Sequence, residues 1–95
     1  MQENKMSPLP GPVVKIIARQ VRAGRGLIGW TIRELSVASG VSEHTIARWE
    51  SGVQTPRKTT REKVRQALEA NRVVFTNGSS PGVRLRPDGN SDLST

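Results

Sequence analysis

Cysteine is absent from this chain of 95 residues, so neither a disulfide framework nor a thiolate zinc site can staple it. Histidine occurs once, at His44, and one imidazole with no thiolate to join it cannot make a metal site. Aromatic residues amount to 3%, which leaves a core that must be small and mostly aliphatic. No apolar run approaches the ~18 residues needed to cross a bilayer. Residues 1–12 lack the charged-then-apolar pattern of a signal peptide. Catalysis also lacks its parts: there is no metal set and no nucleophile with a base placed beside it. The expectation is one small domain in the cytoplasm, with no enzymatic activity, no cofactor and no metal.

Positive charge, by contrast, is plentiful. Fifteen Lys and Arg against eight Asp and Glu give a net +7. Residues 13–70 hold eleven basic and five acidic side chains, residues 71–86 add three arginines and no acid, and residues 87–95 carry only Asp88 and Asp92. A basic body suits a polyanion, with nucleic acid ahead of an anionic membrane or an acidic protein.

Residues 1–12, with Pro8, Pro10, Gly11 and Pro12 and little to bury, read as a flexible arm. Val13, Ile17 and Val21 then fall four apart beside Ile16, the spacing of a first helix. Gly24 and Gly26 weaken its end, and Gly29 is its expected left-handed stop. Thr31-Ile32-Arg33-Glu34 has the form of a capping box, and Trp30 and Leu35 flank it as a hydrophobic staple. This predicts a short helix to about Ser39, a turn at Gly40, and a further helix capped by Ser42 and ending near Gly52.

Thr59-Thr60-Arg61-Glu62 offers a third box, opening a helix to about Ala70 that Asn71 would close in the left-handed conformation. From Val73 the apolar period becomes two, and turn formers fill residues 76–82, so residues 71–86 read as a β-hairpin. Residues 87–95 read as a polar tail. The fold class is mainly α: a compact bundle over residues 13–70 with a small C-terminal hairpin.

Two short helices joined by a glycine turn fit the helix-turn-helix, here residues 31–52. At about 100° per residue, Ile46 and Trp49 share an inward face, while Glu43, His44, Ala47 and Arg48 share the outer one. Such a face can enter the major groove and present its side chains to base edges. Arg48 can grip guanine, and His44 can donate to the same acceptors. Glu43 can accept from cytosine N4 or remain a solvated carboxylate beside the cap. Helix N-termini at Thr31 and Ser42 would direct partial positive charge at the DNA backbone.

Arg25, Thr31, Leu35, Gly40-Val41-Ser42, Thr45-Ile46, Trp49-Glu50 and Ser51-Gly52 with Thr55-Pro56 resemble the lambda-repressor and Cro-like family, also called the xenobiotic-response-element family. The ending, Val73-Val74-Phe75 through Pro81-Gly82-Val83-Arg84-Leu85-Arg86, is similar to that of small single-domain bacterial regulators. The resemblance implies four or five helices that dimerise on a double-stranded DNA operator. It implies an ion pair between Arg25 and Glu50, base contacts from Glu43, His44 and Arg48, and phosphate contacts from Ser42, Thr45, Arg57 and Lys58. Where the family commonly places a phosphate-bridging glutamine after the first cap, this chain has Ile32; Arg33 is the candidate to compensate, with Thr31 beside it.

Trp30 and Trp49 occupy staple and core positions, which favours packing over stacking on single strands. Arg84 and Arg86 suit a soluble sheet edge better than a DNA contact. The hairpin edge could serve a homodimer or another protein, so a protein-interaction module, such as an antitoxin or antiactivator on the same fold, is the alternative function.

Overall fold

The computed structural model describes residues 16–87. Four helices and a two-stranded hairpin follow one another: α1 (Ala18–Leu27), α2 (Ile32–Ser39), α3 (Glu43–Glu50), α4 (Lys58–Glu69), β1 (Val73–Thr76) and β2 (Gly82–Leu85). The expected arm over residues 1–12 and the expected tail beyond Pro87 lie outside the described residues, as does Val13.

The expected Val13–Ile17–Val21 stripe needs correction. Ile17 is extended and precedes α1, 43% exposed, whereas Ile16 is the isoleucine that enters the core. Helical spacing does not apply before the first helical residue, so the side chain one step earlier points inward. Gln20 fixes this start by accepting from the Ile17 amide at 2.9 Å. At the other end of α1 the chain reverses at Gly29, whose φ is +68°. Trp30 N–H donates to Arg25 C=O and Gly29 N–H to Gly26 C=O, the paired bonds of a Schellman stop.

The predicted cap of α2 is complete. Thr31 Oγ1 accepts from the Glu34 amide at 3.1 Å, and Glu34 Oε1 accepts from the Thr31 amide at 2.7 Å. Leu35 is buried and Trp30 is half-buried against the core. Gly40 ends α2 with φ +76°. Ser42 then caps α3, accepting from the Thr45 amide at 3.1 Å, with Val41 and Ile46 buried on either side.

The third capping box does not form. α4 begins at Lys58 after Arg57, which makes no side-chain cap, and Thr59 already lies inside the helix. Glu62 is drawn forward by Arg65 instead of reaching back to the Thr59 amide. Nor does Asn71 take the left-handed conformation. It donates from Nδ2 to Ala67 C=O at 2.8 Å, and the positive φ, +78°, falls on Arg72. Arg72 is where the chain enters the hairpin: Arg86 N–H donates to its carbonyl at 2.7 Å, and Arg72 Nε returns a bond to Arg86 C=O.

β1 and β2 are antiparallel, with Val73 opposite Leu85 and Phe75 opposite Val83. Those four side chains share one face, and through Val73 and Phe75 that face enters the same core as Ile16, Val21, Leu35, Ile46, Trp49, Val64 and Leu68. α1 packs on α3, α4 and both strands, and α2 packs on α3 and α4. Gly24 permits the closest approach, since a Cβ there would sit 3.2 Å from Val73 Cγ1. Gln20 ties the hairpin to α1 by donating from Nε2 to the carbonyls of Thr76 (2.9 Å) and Gly82 (3.1 Å).

Candidate nucleic-acid interface

α3 is anchored from behind. Ile46 is fully buried and Trp49 is 2% exposed, so the inner face is fixed by packing. Glu50, in the last turn, is bound by a two-pronged bridge: Arg25 Nε donates to Oε2 and Nη2 to Oε1, both at 2.8 Å. The third arm, Arg25 Nη1, donates to Trp30 C=O at 2.7 Å. One guanidinium thus joins α1, the lead-in to α2 and the end of α3. The hydrogen bonds that Arg25 donates to Glu50 raise its pKa above the ordinary value against the opposing effect of burial.

On the outer side of α3, Glu43, His44 and Ala47 are exposed and Arg48 is half-buried. The two capped N-termini, at Thr31 and Ser42, leave their hydroxyls exposed. Thus a short helix, rigid on one face and free on the other, follows a three-residue turn from a capped partner helix. The helix-turn-helix family model matches residues 21–71, just over half of the chain.

This chain belongs to the helix-turn-helix family.

The family is the lambda-repressor-like, xenobiotic-response-element type, so the protein is a DNA-binding helix-turn-helix regulator. Comparison with curated proteins finds no match. Among the described residues no helix is long and apolar enough to cross a membrane, and no group of His, Cys, Asp and Glu could hold a metal ion.

The remaining site candidates of this helix-turn-helix protein lie on α2, at the start of α3 and at the start of α4. Ser42 Oγ accepts from the Thr45 amide and shares a hydrogen bond with Thr45 Oγ1 at 2.9 Å, which uses one of the two hydroxyl protons and leaves the other for an outside acceptor. Arg33 is exposed in the first turn of α2. Arg57 and Lys58 are exposed at the start of α4, where no acidic residue occupies the first turn. Two like charges at the positive end of a helix dipole are uncomfortable alone and well placed beside an anion.

Ile32 packs partly against the core. Between it, Arg22, Ala47 and Ser51 runs a shallow hollow of about 250 Å³, whose lining includes Arg22 of α1 and not Arg33. Trp30 and Trp49 are packed, and Arg84 and Arg86 are exposed on the hairpin, which packs mainly on α1 and α4.

Sequence reasoning missed Gln54. Its Oε1 accepts from Arg48 Nε at 3.1 Å across the Gly52 turn, six residues away. No pattern in the sequence announces that bond. It depends on Gly52 adopting φ +81° and folding the chain back over the last turn of α3.

Proposed function

We propose that this protein is a sequence-specific transcriptional regulator, a repressor or autoregulator, that reads the major groove of double-stranded DNA as a homodimer. The observation that carries the reading is the outer face of α3, where Glu43 and His44 are exposed and Arg48 is half-buried with its terminal nitrogens unengaged within the described residues, while the inner face is immobilised. In this reading those three side chains meet base edges. Thr31, Arg33, Ser42, Thr45, Arg57 and Lys58 hold the backbone and set the register. Residues 13–70 bind DNA, the hairpin of residues 71–86 joins two copies, and the protein works in the cytoplasm on the bacterial nucleoid.

A footprint on the DNA flanking its own coding region tests the operator, whose half-sites should be spaced about 34–36 Å apart. Arg48→Ala should cost about 1–3 kcal/mol and relax preference at one base position. Equal weakening on operator and random duplex would remove Arg48 from the base-reading set.

A second reading, a protein-interaction module such as an antitoxin or antiactivator, draws on the hairpin. Among the described residues the sheet has two strands, so β2 keeps a free edge. Beside that edge lies a groove of about 300 Å³ formed with α1 by Ile17, Ala23, Pro81 and Val83. Light scattering separates the two readings: a dimer that persists on an operator duplex supports the regulator, and a monomer without operator affinity supports the module.

A further inference from the structure

Gln54 adjoins both Arg48 and Thr45, two residues that the regulator reading sets against DNA. Its backbone is tethered to the residue whose side chain it holds, because the amides of Val53 and Gln54 both donate to Arg48 C=O, at 2.9 and 3.2 Å. Its side-chain orientation is fixed by chemistry. Arginine has no acceptor, so the atom facing Arg48 Nε must be the amide oxygen and the NH2 group must face away. With Nε engaged, Arg48 keeps its two terminal nitrogens, the end-on fork that matches two acceptors on a base edge. Gln54 also lines a notch of about 50 Å³ with Thr45 and Pro56. The Thr45 hydroxyl is paired with that of Ser42, and the pair keeps one proton for an outside acceptor. Two residues with neutral donors beside a small hollow suit a single anionic oxygen.

We propose that Gln54 is a specificity-determining residue that couples two DNA contacts. Its amide oxygen aims the Arg48 fork at one base pair, and its amide nitrogen, with the Thr45 hydroxyl, seats the oxygen of a backbone phosphate. This deepens the regulator reading above and rests on Arg48 as a base reader. Through Gln54 a phosphate contact that carries no sequence information itself sets the angle at which Arg48 meets its base. The register of the backbone and the choice of base are then read together.

The test selects from a pool of duplexes with a randomised central segment, using the wild-type protein, Arg48→Ala, Gln54→Ala and Gln54→Glu. Affinity for one fixed duplex of random sequence is measured alongside. Gln54 is exposed, and thermal melting checks that each variant folds. Arg48→Ala should flatten one position of the selected sequence. Gln54→Ala should lower the preference at that same position about threefold to tenfold and weaken the random duplex as well. Gln54→Glu keeps the oxygen and loses the donor, so it should retain the preference while losing affinity for the random duplex.

If Arg48→Ala flattens the position and Gln54→Ala leaves it as in the wild type, the Gln54 proposal falls and the Arg48 reading stands. If Arg48→Ala flattens nothing, or the wild type selects no sequence, that reading falls and takes this proposal with it. Wild-type affinity of Gln54→Glu for the random duplex overturns the phosphate seat.

Discussion

Arg25 has every guanidinium nitrogen engaged inside the protein, with Nε and Nη2 on Glu50 and Nη1 on Trp30 C=O. Its side chain is 18% exposed and that of Glu50 is 7% exposed, so neither partner has much water to fall back on. Removing one partner of such a pair leaves the other charge buried alone. Arg25→Ala should therefore lower stability by about 3 kcal/mol in urea unfolding at neutral pH. Arg25→Lys should recover only part of this, because an ammonium cannot fork onto a carboxylate. Two glycines of α1 give a sharper comparison. Nothing lies within 4 Å of a Cβ at Gly26, so Gly26→Ala should stabilise by about 0.5–1 kcal/mol. At Gly24 the same change meets Val73 Cγ1 at 3.2 Å and Leu68 Cδ1 at 3.5 Å. Gly24→Ala should thus unfold at lower denaturant than Gly26→Ala, and the reverse order would mean that the hairpin yields easily.

At the scale of elements, α2 and α3 were readable with their caps, and α4 was readable in extent but not in the devices at its ends. Thr31 with Glu34, and Ser42 with Thr45, are three residues apart, so the whole device lies within one turn and owes nothing to distant packing. The Thr59 box looked the same in sequence and failed. Arg65 binds both Glu62 and Glu69, which takes Glu62 along the helix, away from its start. This arrangement has a pH signature. The hydrogen bond from Arg65 pulls the Glu62 carboxyl below its ordinary range, and the charges of Arg65, Lys58 and Arg61 add to it against the opposing effect of burial. A carboxyl depressed in the folded state adds stability above its unfolded pKa, about 4.3 for glutamate, and loses it as pH falls through the lower folded value. Glu62→Gln should accordingly be less stable than the wild type at neutral pH. The gap should close as both melting curves are taken into acid.

For the molecule as a whole, the net charge of +7 matters through its placement. Arg57 and Lys58 stand at the opening of α4, which has no acid in its first turn. Arg57→Ala should weaken binding to every duplex alike and reduce the slope of log affinity against log salt by about 1. An unchanged slope would take Arg57 off the phosphate contacts.

The sequence by itself determined the two caps, the Gly40 turn, the split of α3 into a packed and a free face, and the hairpin with its turn. These follow from periodicity and from partners within a few residues of one another, so the information is local. The Arg25–Glu50 bridge was reached from the family resemblance, since its partners are 25 residues apart. Tertiary structure alone decided that Ile16 and not Ile17 turns inward, that Arg72 takes the left-handed turn in place of Asn71, that Gln20 pins the hairpin to α1, and that Gln54 holds Arg48. Each of these is settled by where separate segments meet in three dimensions. A hydrogen bond from Gln20 to a strand end 56 residues away exists only because the core has already brought the two together.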